Sequence, residues 1–189
     1  MKSKKSRSWS GVKDKLAKID RASLVGVIKN LYEASSENRR FLHARFAPSG
    51  AALEEYRELV SEAVYPDLLS QRPVRLRDAA AAITEYKRAT GDLVGVLDLV
   101  LTFVEAGTQL AADTGHGDDS YFATLERKLN EALSILEDVP EGVRDAAVTR
   151  MIRLGEYQNK IGWGYGDFLG GVANHLGEEY YNPGVSRTT

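Results

Sequence analysis

The side chains best suited to binding a metal ion are concentrated in the segment DTGHGDD, residues 113–119. It contains Asp113, His116, Asp118 and Asp119, together with two glycines. Carboxylate and imidazole groups at this density suit Mg²⁺, Mn²⁺ or Zn²⁺. The pattern is equally typical of a helix end followed by a helix start, with glycines closing one helix and aspartates capping the next. We keep His116, Asp118 and Asp119 as candidate ligands, but expect the helix boundary and neither a metal nor another cofactor.

A second carboxylate, Asp98, lies within the apolar segment LVGVLDLVLTFV, residues 93–104. An ionised group among apolar residues has to be paired, or its pKa rises and it resembles a general base. We expect pairing with one of the many arginines. The chain lacks cysteine and the GxSxG, HExxH and Walker motifs, and its three histidines lie on different segments. We therefore assign no catalytic residue and expect a protein that is not an enzyme.

The stretch KIGWGYGDFLGG, residues 160–171, contains five glycines. Its GxGxG spacing resembles phosphate-binding loops, but those loops follow a strand. Here the preceding pattern is helical, which predicts a corner between two helices: a stop at Gly162, positive φ at Gly164 and Gly166, and Asp167 capping the last helix. We expect one aromatic ring of the corner to seal the core and the other to remain available to a partner. The partner-binding candidates are Trp163, Tyr165 and Asp167.

Charge is distributed unevenly along the chain. Residues 1–50 carry twelve basic and four acidic residues, a net charge of +8, whereas residues 51–189 carry thirteen basic and twenty-three acidic residues, a net charge of −10. A basic end can bind a polyanion such as nucleic acid through phosphate contacts. It can equally be a solvated tail followed by a solvated helix face. The candidates for polyanion binding are Lys4, Lys5, Arg39, Arg40 and Arg45.

The elements that must position these residues are helices, because apolar residues recur at helical spacing nearly throughout. In DRASLVGVIKNLYEAS, residues 20–35, the pattern predicts an amphipathic helix that is capped by Asp20 and faces a core. The predicted helices are Ser10–Ile19, 21–35, Glu37–Phe46, Ala51–Val64, Leu76–Ala89, Leu93–Ala112, 120–136, Glu141–Lys160 and Asp167–Glu179. No stretch alternates with period two. The helix from Leu93 is apolar on most sides, which predicts a central position.

The prediction is therefore an all-α single domain of about nine helices in antiparallel hairpins, over residues 9–181. Residues 1–8 are expected to be a basic, disordered tail, and residues 182–189 a flexible one. Leu-Val pairs at residues 24, 59 and 93 recur at spacings of 35 and 34, close to the period of helical solenoids. The flanking residues do not carry a known repeat, so a short solenoid-like stack and an irregular bundle both remain open.

The composition limits the classes of protein to which this chain can belong. With 43% hydrophobic and 28% charged residues and no cysteine, the 189-residue chain is typical of a globular protein of a reducing compartment. The basic N-terminus is not followed by an apolar run of signal-peptide length, and residues 93–104 are too few to span a membrane. We expect a cytoplasmic location and no membrane partner.

Two segments carry a resemblance. DRASLVGVIKNLYEASSENRRFLHARF, residues 20–46, and IGWGYGD, residues 161–167, resemble an uncharacterised bacterial family of all-helical proteins. The resemblance implies a helical fold and a bacterial, cytoplasmic origin, and it transfers no activity, ligand or site residue.

The sequence leaves three hypotheses for function. The first is a non-enzymatic binding or scaffold protein that recognises another protein, with a homo-oligomer also possible. The second is nucleic-acid binding through the basic first 50 residues. The third is a metal-dependent enzyme that uses residues 113–119. We prefer the first.

Overall fold

The computed structural model describes residues 8–47, 49–162 and 164–181, except for the side chain of Tyr181. The described residues form helices joined by short connections and contain no strand, so the predicted all-α class is confirmed. The helices are α1 (Trp9–Leu16), α2 (Arg21–Ala34), α3 (Ser36–Phe46), α4 (Gly50–Val64), α5 (Leu76–Thr90), α6 (Leu93–Thr114), α7 (Asp119–Ile135), α8 (Glu141–Leu154), α9 (Gln158–Ile161) and α10 (Tyr165–Tyr181). Short 3₁₀ turns occupy Leu68–Ser70, Leu136–Asp138 and Gly155–Tyr157.

Internal contacts divide the chain into two compact units. Unit 1 is Met1–Pro48 and contains α1 to α3; unit 2 is Ser49–Thr189 and contains α4 to α10. That residues 9–181 form one domain stays a prediction. The expected tails fall almost entirely on residues 1–7 and 182–189, which lie outside the described residues.

Short polar residues set most of the helix starts. The side chain accepts a hydrogen bond from the backbone N–H three residues further on at Asp20, Ser35, Ser49, Asp92 and Asp118. This bond satisfies an amide that has no partner inside the helix. At the other end of α5 and α6, Gly91 and Gly115 adopt the left-handed conformation that closes a helix. Residues of this type are what made these boundaries predictable.

Helix α6 is the centre of unit 2, as its all-round apolar pattern predicts. It contacts α4, α5, α7, α8 and α9, and its side chains of Leu97, Leu99 and Phe103 are almost completely buried. In a solenoid, each repeat contacts only its neighbours. Because one helix contacts five others, unit 2 is an irregular bundle.

The length of α6 bears on the membrane prediction. With 22 residues, the helix is long and apolar enough to cross a membrane, and 67% of its apolar window is buried within the protein. The core helix of a soluble protein passes the same test, so the finding is weak evidence for a span. The absence of a membrane partner stays a prediction.

The predicted helix Glu141–Lys160 is interrupted. Helix α8 ends at Leu154, and a 3₁₀ turn over Gly155–Tyr157 leads into the short α9. A Cβ atom at Gly155 would lie 2.6 Å from the Cβ of Ala173 on α10. The interruption therefore lies where α10 packs against the end of α8, a tertiary contact that helical periodicity does not reveal.

Unit 1 has a much smaller core than unit 2. Helices α2 and α3 pack against each other, and Asn38 donates a 2.7 Å hydrogen bond to the carbonyl of Leu31. In the described part of this unit, Ala44 is the one buried residue. The expectation that the apolar face of α2 faces a core is therefore wrong for the packing of unit 1.

Candidate functional site

The corner before α10 uses Tyr165 as a core residue. Its side chain is 3% exposed, its hydroxyl lies 2.8 Å from the hydroxyl of Thr108 on α6, and its ring stacks with those of Phe122 and Phe168. Burial raises the pKa of Tyr165 above its usual range, so the hydroxyl stays protonated. Tyr165 is thus the ring that seals the core, and it offers no surface to a partner. The other ring of the prediction, Trp163, lies outside the described residues.

Two details of the predicted corner need correction. Helix α10 begins at Tyr165, so Asp167 is an exposed residue of its first turn and not its cap. Positive φ occurs at Gly162 and Gly164, with values of 83° and 84°, but not at Gly166. Gly166 is needed for another reason: a Cβ there would collide with the backbone carbonyl of Gln158. Asp167 still favours the helix start because its negative charge lies near the positive end of the helix dipole.

The segment 113–119 acts as a helix boundary. Asp118 accepts the capping hydrogen bond from Tyr121 N at 2.8 Å, Asp119 follows in the first turn of α7, and His116 packs its ring edge-on against Tyr121. Asp113 accepts hydrogen bonds from Gln109 and Tyr65, which lower its pKa in that order of importance. Within the described ranges, no group of three or more His, Asp or Glu side chains converges. His116 and Asp118 thus make contacts that belong to the helix boundary, and the assignment of His116, Asp118 and Asp119 as metal ligands stays a prediction.

Asp98 is paired with arginines, as expected. Arg57 on α4 donates to its Oδ2 from Nε and Nη2, at 2.9 and 2.8 Å, and Arg150 on α8 donates to its Oδ1 at 2.8 Å. Arg150 also binds Glu105 through two bonds of 2.8 and 2.6 Å. Both oxygens of Asp98 therefore accept from guanidinium groups, which does not fit a general base and ties α4, α6 and α8 together.

The partners of Arg150 stabilise its positive charge. Burial acts to lower its pKa, but the hydrogen bonds and charges of Glu105 and Asp98 outweigh burial, and the net shift is upward. Among the described residues, every buried side-chain nitrogen or oxygen has a hydrogen-bond partner. The fully buried polar side-chain atoms of the described residues are thus satisfied, as is usual in folded proteins.

Only some of the basic residues of α3 are available to bind a polyanion. Arg39 is exposed, whereas Arg40 and Arg45 already interact with other residues of the chain. On the same helix, His43 Nε2 lies 3.0 Å from the hydroxyl of Tyr32 on α2. Lys4 and Lys5, the other candidates for polyanion binding, lie outside the described residues. The described structure therefore does not gather the predicted polyanion site into one cluster.

The feature that periodicity alone missed is an exposed apolar row on α2. Val25, Ile28 and Leu31 are 58%, 45% and 52% exposed, and Val27 of the same helix is 39% exposed. A spacing of three residues places Val25, Ile28 and Leu31 along one side of the helix, whereas Val27 faces away from Val25. We call Val25, Ile28 and Leu31 the α2 row. The sequence of α3, which packs against α2, could have indicated this row. SENRRFLHARF has few apolar residues with which to cover α2.

Further large apolar residues are exposed in the same unit. They are Trp9, Val12, Ile19 and Phe46. The described residues of unit 1, 8–47, include eight basic and four acidic residues. Unit 1 thus combines an apolar surface with a positive net charge.

The comparisons with known proteins identify no relative of this chain. No family model, no curated protein and no solved structure matches this chain. The resemblance to a bacterial family of helical proteins stays a prediction, and the function has to be argued from the chain itself.

Proposed function

We propose that this chain is a non-enzymatic helical protein-binding module, and that unit 1 docks an acidic amphipathic helix of a partner protein. The observation that carries the proposal is the α2 row: three large aliphatic side chains, each more than a third exposed, on one side of a single helix. Contiguous exposed apolar residues on a soluble protein mark interaction surfaces. An amphipathic partner helix would cover such a row with residues at its own three- and four-residue spacings.

The charge of unit 1 defines the chemistry of the partner. Among described residues 8–47, basic residues outnumber acidic ones by eight to four. A partner helix with acidic residues beside its apolar face would match both the row and this charge. The proposal requires neither a metal nor another cofactor.

A protein partner fits the row better than a nucleic acid does. Phosphate contacts use cationic groups and leave aliphatic side chains such as Ile28 and Leu31 exposed to water. Because an apolar partner face removes these side chains from water, burial of the row favours protein binding at about 25 cal/mol for each Å² covered. Nucleic-acid binding through the basic residues is the alternative outcome of the test.

The test is affinity capture from native-cell extract, with nuclease treatment, of three forms of the protein. The wild type is compared with a triple variant, Val25→Ser, Ile28→Asn and Leu31→Asn, and with a control variant, Leu69→Asn. Leu69 is a matched control because it is a 91% exposed aliphatic residue of unit 2. Circular dichroism spectra establish that all three forms fold equally.

We expect the triple variant to lose about 90% or more of the captured protein, since the loss of apolar burial at three central positions is worth more than tenfold in affinity. The control should capture as much as the wild type. Capture that disappears with nuclease, or that is equal for all forms, would contradict the proposal. Sedimentation of the purified protein tests a second possible occupant. If the wild type is a dimer and the triple variant is a monomer, the row binds a second copy of this chain instead.

A further inference from the structure

A cleft of about 1050 Å³ lies in unit 2, and none of the residues of the α2 row lines it. One wall is formed by residues 73–80, the connector before α5 and the first turns of that helix. The other is formed by residues 116–128, the start of α7 and the loop before it. Its size is that of a site for a small organic molecule.

The cleft is cationic although its unit is acidic. Residues 51–189 carry a net charge of −10, yet the lining has four cationic side chains, Arg75, Arg77, Arg127 and Lys128, against two carboxylates. Both carboxylates are engaged: Asp78 lies 3.6 Å from Arg75, and Asp118 caps α7. The cleft therefore gathers positively charged side chains in a unit whose net charge is negative.

Two of the guanidinium groups have no anionic partner in the described part of the chain. Arg77 is exposed and makes neither a hydrogen bond nor an ion pair there. Arg127, on the facing wall, donates one long hydrogen bond of 3.4 Å to the hydroxyl of Thr124. Guanidinium groups bind phosphate through paired N–H donors. A ligand with more than one phosphate can engage both walls.

The rest of the lining, apart from His116, is apolar or carries hydroxyl groups. Pro73, Val74, Leu76 and Ala80 form an apolar wall, and the hydroxyls of Ser120 and Thr124 lie on the facing helix. A wall of this kind suits the organic part of a ligand better than a free inorganic ion.

We propose that this cleft binds a phosphorylated organic molecule of nucleotide size. Arg77 and Arg127 bind its phosphate groups from opposite walls, and the apolar wall packs against its organic part. The inference is independent of the proposed function, because it concerns residues of unit 2 and a small molecule.

Isothermal titration calorimetry with ATP and, separately, with inorganic tripolyphosphate tests the proposal. The wild-type chain is compared with a double variant, Arg77→Gln and Arg127→Gln, and with Arg153→Gln as control. Arg153 is an exposed arginine of α8 outside the lining of the cleft. This control removes one of the two positive charges that the double variant removes, and so measures the effect of a single change in overall charge at a position outside the cleft.

We expect the wild type to bind ATP with a Kd below about 1 mM, and the double variant to bind it at least about tenfold more weakly, because two charge-assisted contacts are lost. The control should stay within about twofold of the wild type. Tripolyphosphate should bind more weakly than ATP, since it cannot use the apolar wall.

Three results would overturn the proposal. They are no binding of either probe by the wild type at about 1 mM, equal affinity in the double variant, and tripolyphosphate binding as tight as that of ATP. The first two would remove the phosphate site, and the third would remove the role of the apolar wall. None of the three would affect the protein-binding proposal for unit 1.

Discussion

Replacing Gly166 by alanine is expected to lower the free energy of unfolding by about 2 to 3 kcal/mol. A Cβ atom at this position would collide with the backbone carbonyl oxygen of Gln158, an atom that cannot move aside without moving the short helix α9. Gly166 is itself buried in the first turn of α10. The chain must therefore shift one helix against the other, which disturbs the packing around Tyr165.

The matched control is Gly171→Ala in the same helix. A Cβ atom there meets nothing within 4 Å. Because alanine has a better helix propensity than glycine, this change should raise the free energy of unfolding by up to about 1 kcal/mol. Urea denaturation followed by circular dichroism measures both variants. Equal effects of the two substitutions would show that Gly166 is not a close-packing position.

Replacing Arg150 by methionine is expected to lower the free energy of unfolding by about 2 kcal/mol. The change removes both bonds to Glu105 and the bond to Asp98 Oδ1, and so leaves the carboxylate of Glu105 without its guanidinium partner. The value is smaller than for a fully buried pair because the side chains of Arg150 and Glu105 are 27% and 37% exposed, and water screens the charges. Methionine preserves most of the packing of the arginine stem.

Arg153→Met is the control for Arg150→Met. This arginine lies three residues further along α8 and is exposed, so its replacement should change the free energy of unfolding by less than about 0.5 kcal/mol. Adding Glu105→Gln to Arg150→Met should recover part of the loss, because the unpaired charge is then removed. If Arg150→Met is as mild as Arg153→Met, the network does not hold α6 and α8 together.

Local chemistry made much of unit 2 predictable. Asp118 caps α7 and Gly91 closes α5 because their roles depend on residues within a few positions of them. The pairing of Asp98 followed from the cost of an unpaired charge in an apolar helix. The sequence does not show which arginines pair with Asp98, because Arg57 and Arg150 are 41 and 52 residues away from it in the chain.

The errors concern contacts between distant segments. The glycine spacing predicts a positive φ at Gly166, but the role of this residue is set by the carbonyl of Gln158 across the corner. Asp167 resembles a cap in sequence, yet the helix starts two residues earlier, at Tyr165. The apolar side of α2 predicted a core, but periodicity shows that a helix has an apolar side and not that the protein covers it.

Site-specific photo-crosslinking in the native cell tests the central claim, that the α2 row binds a protein. A photoreactive amino acid is placed at Ile28 in the row and, in a second form, at the exposed Leu69 of unit 2. The account predicts a discrete protein adduct from position 28, resistant to nuclease, and none from position 69. An adduct of equal yield from both positions, or nucleic acid alone at position 28, would contradict it.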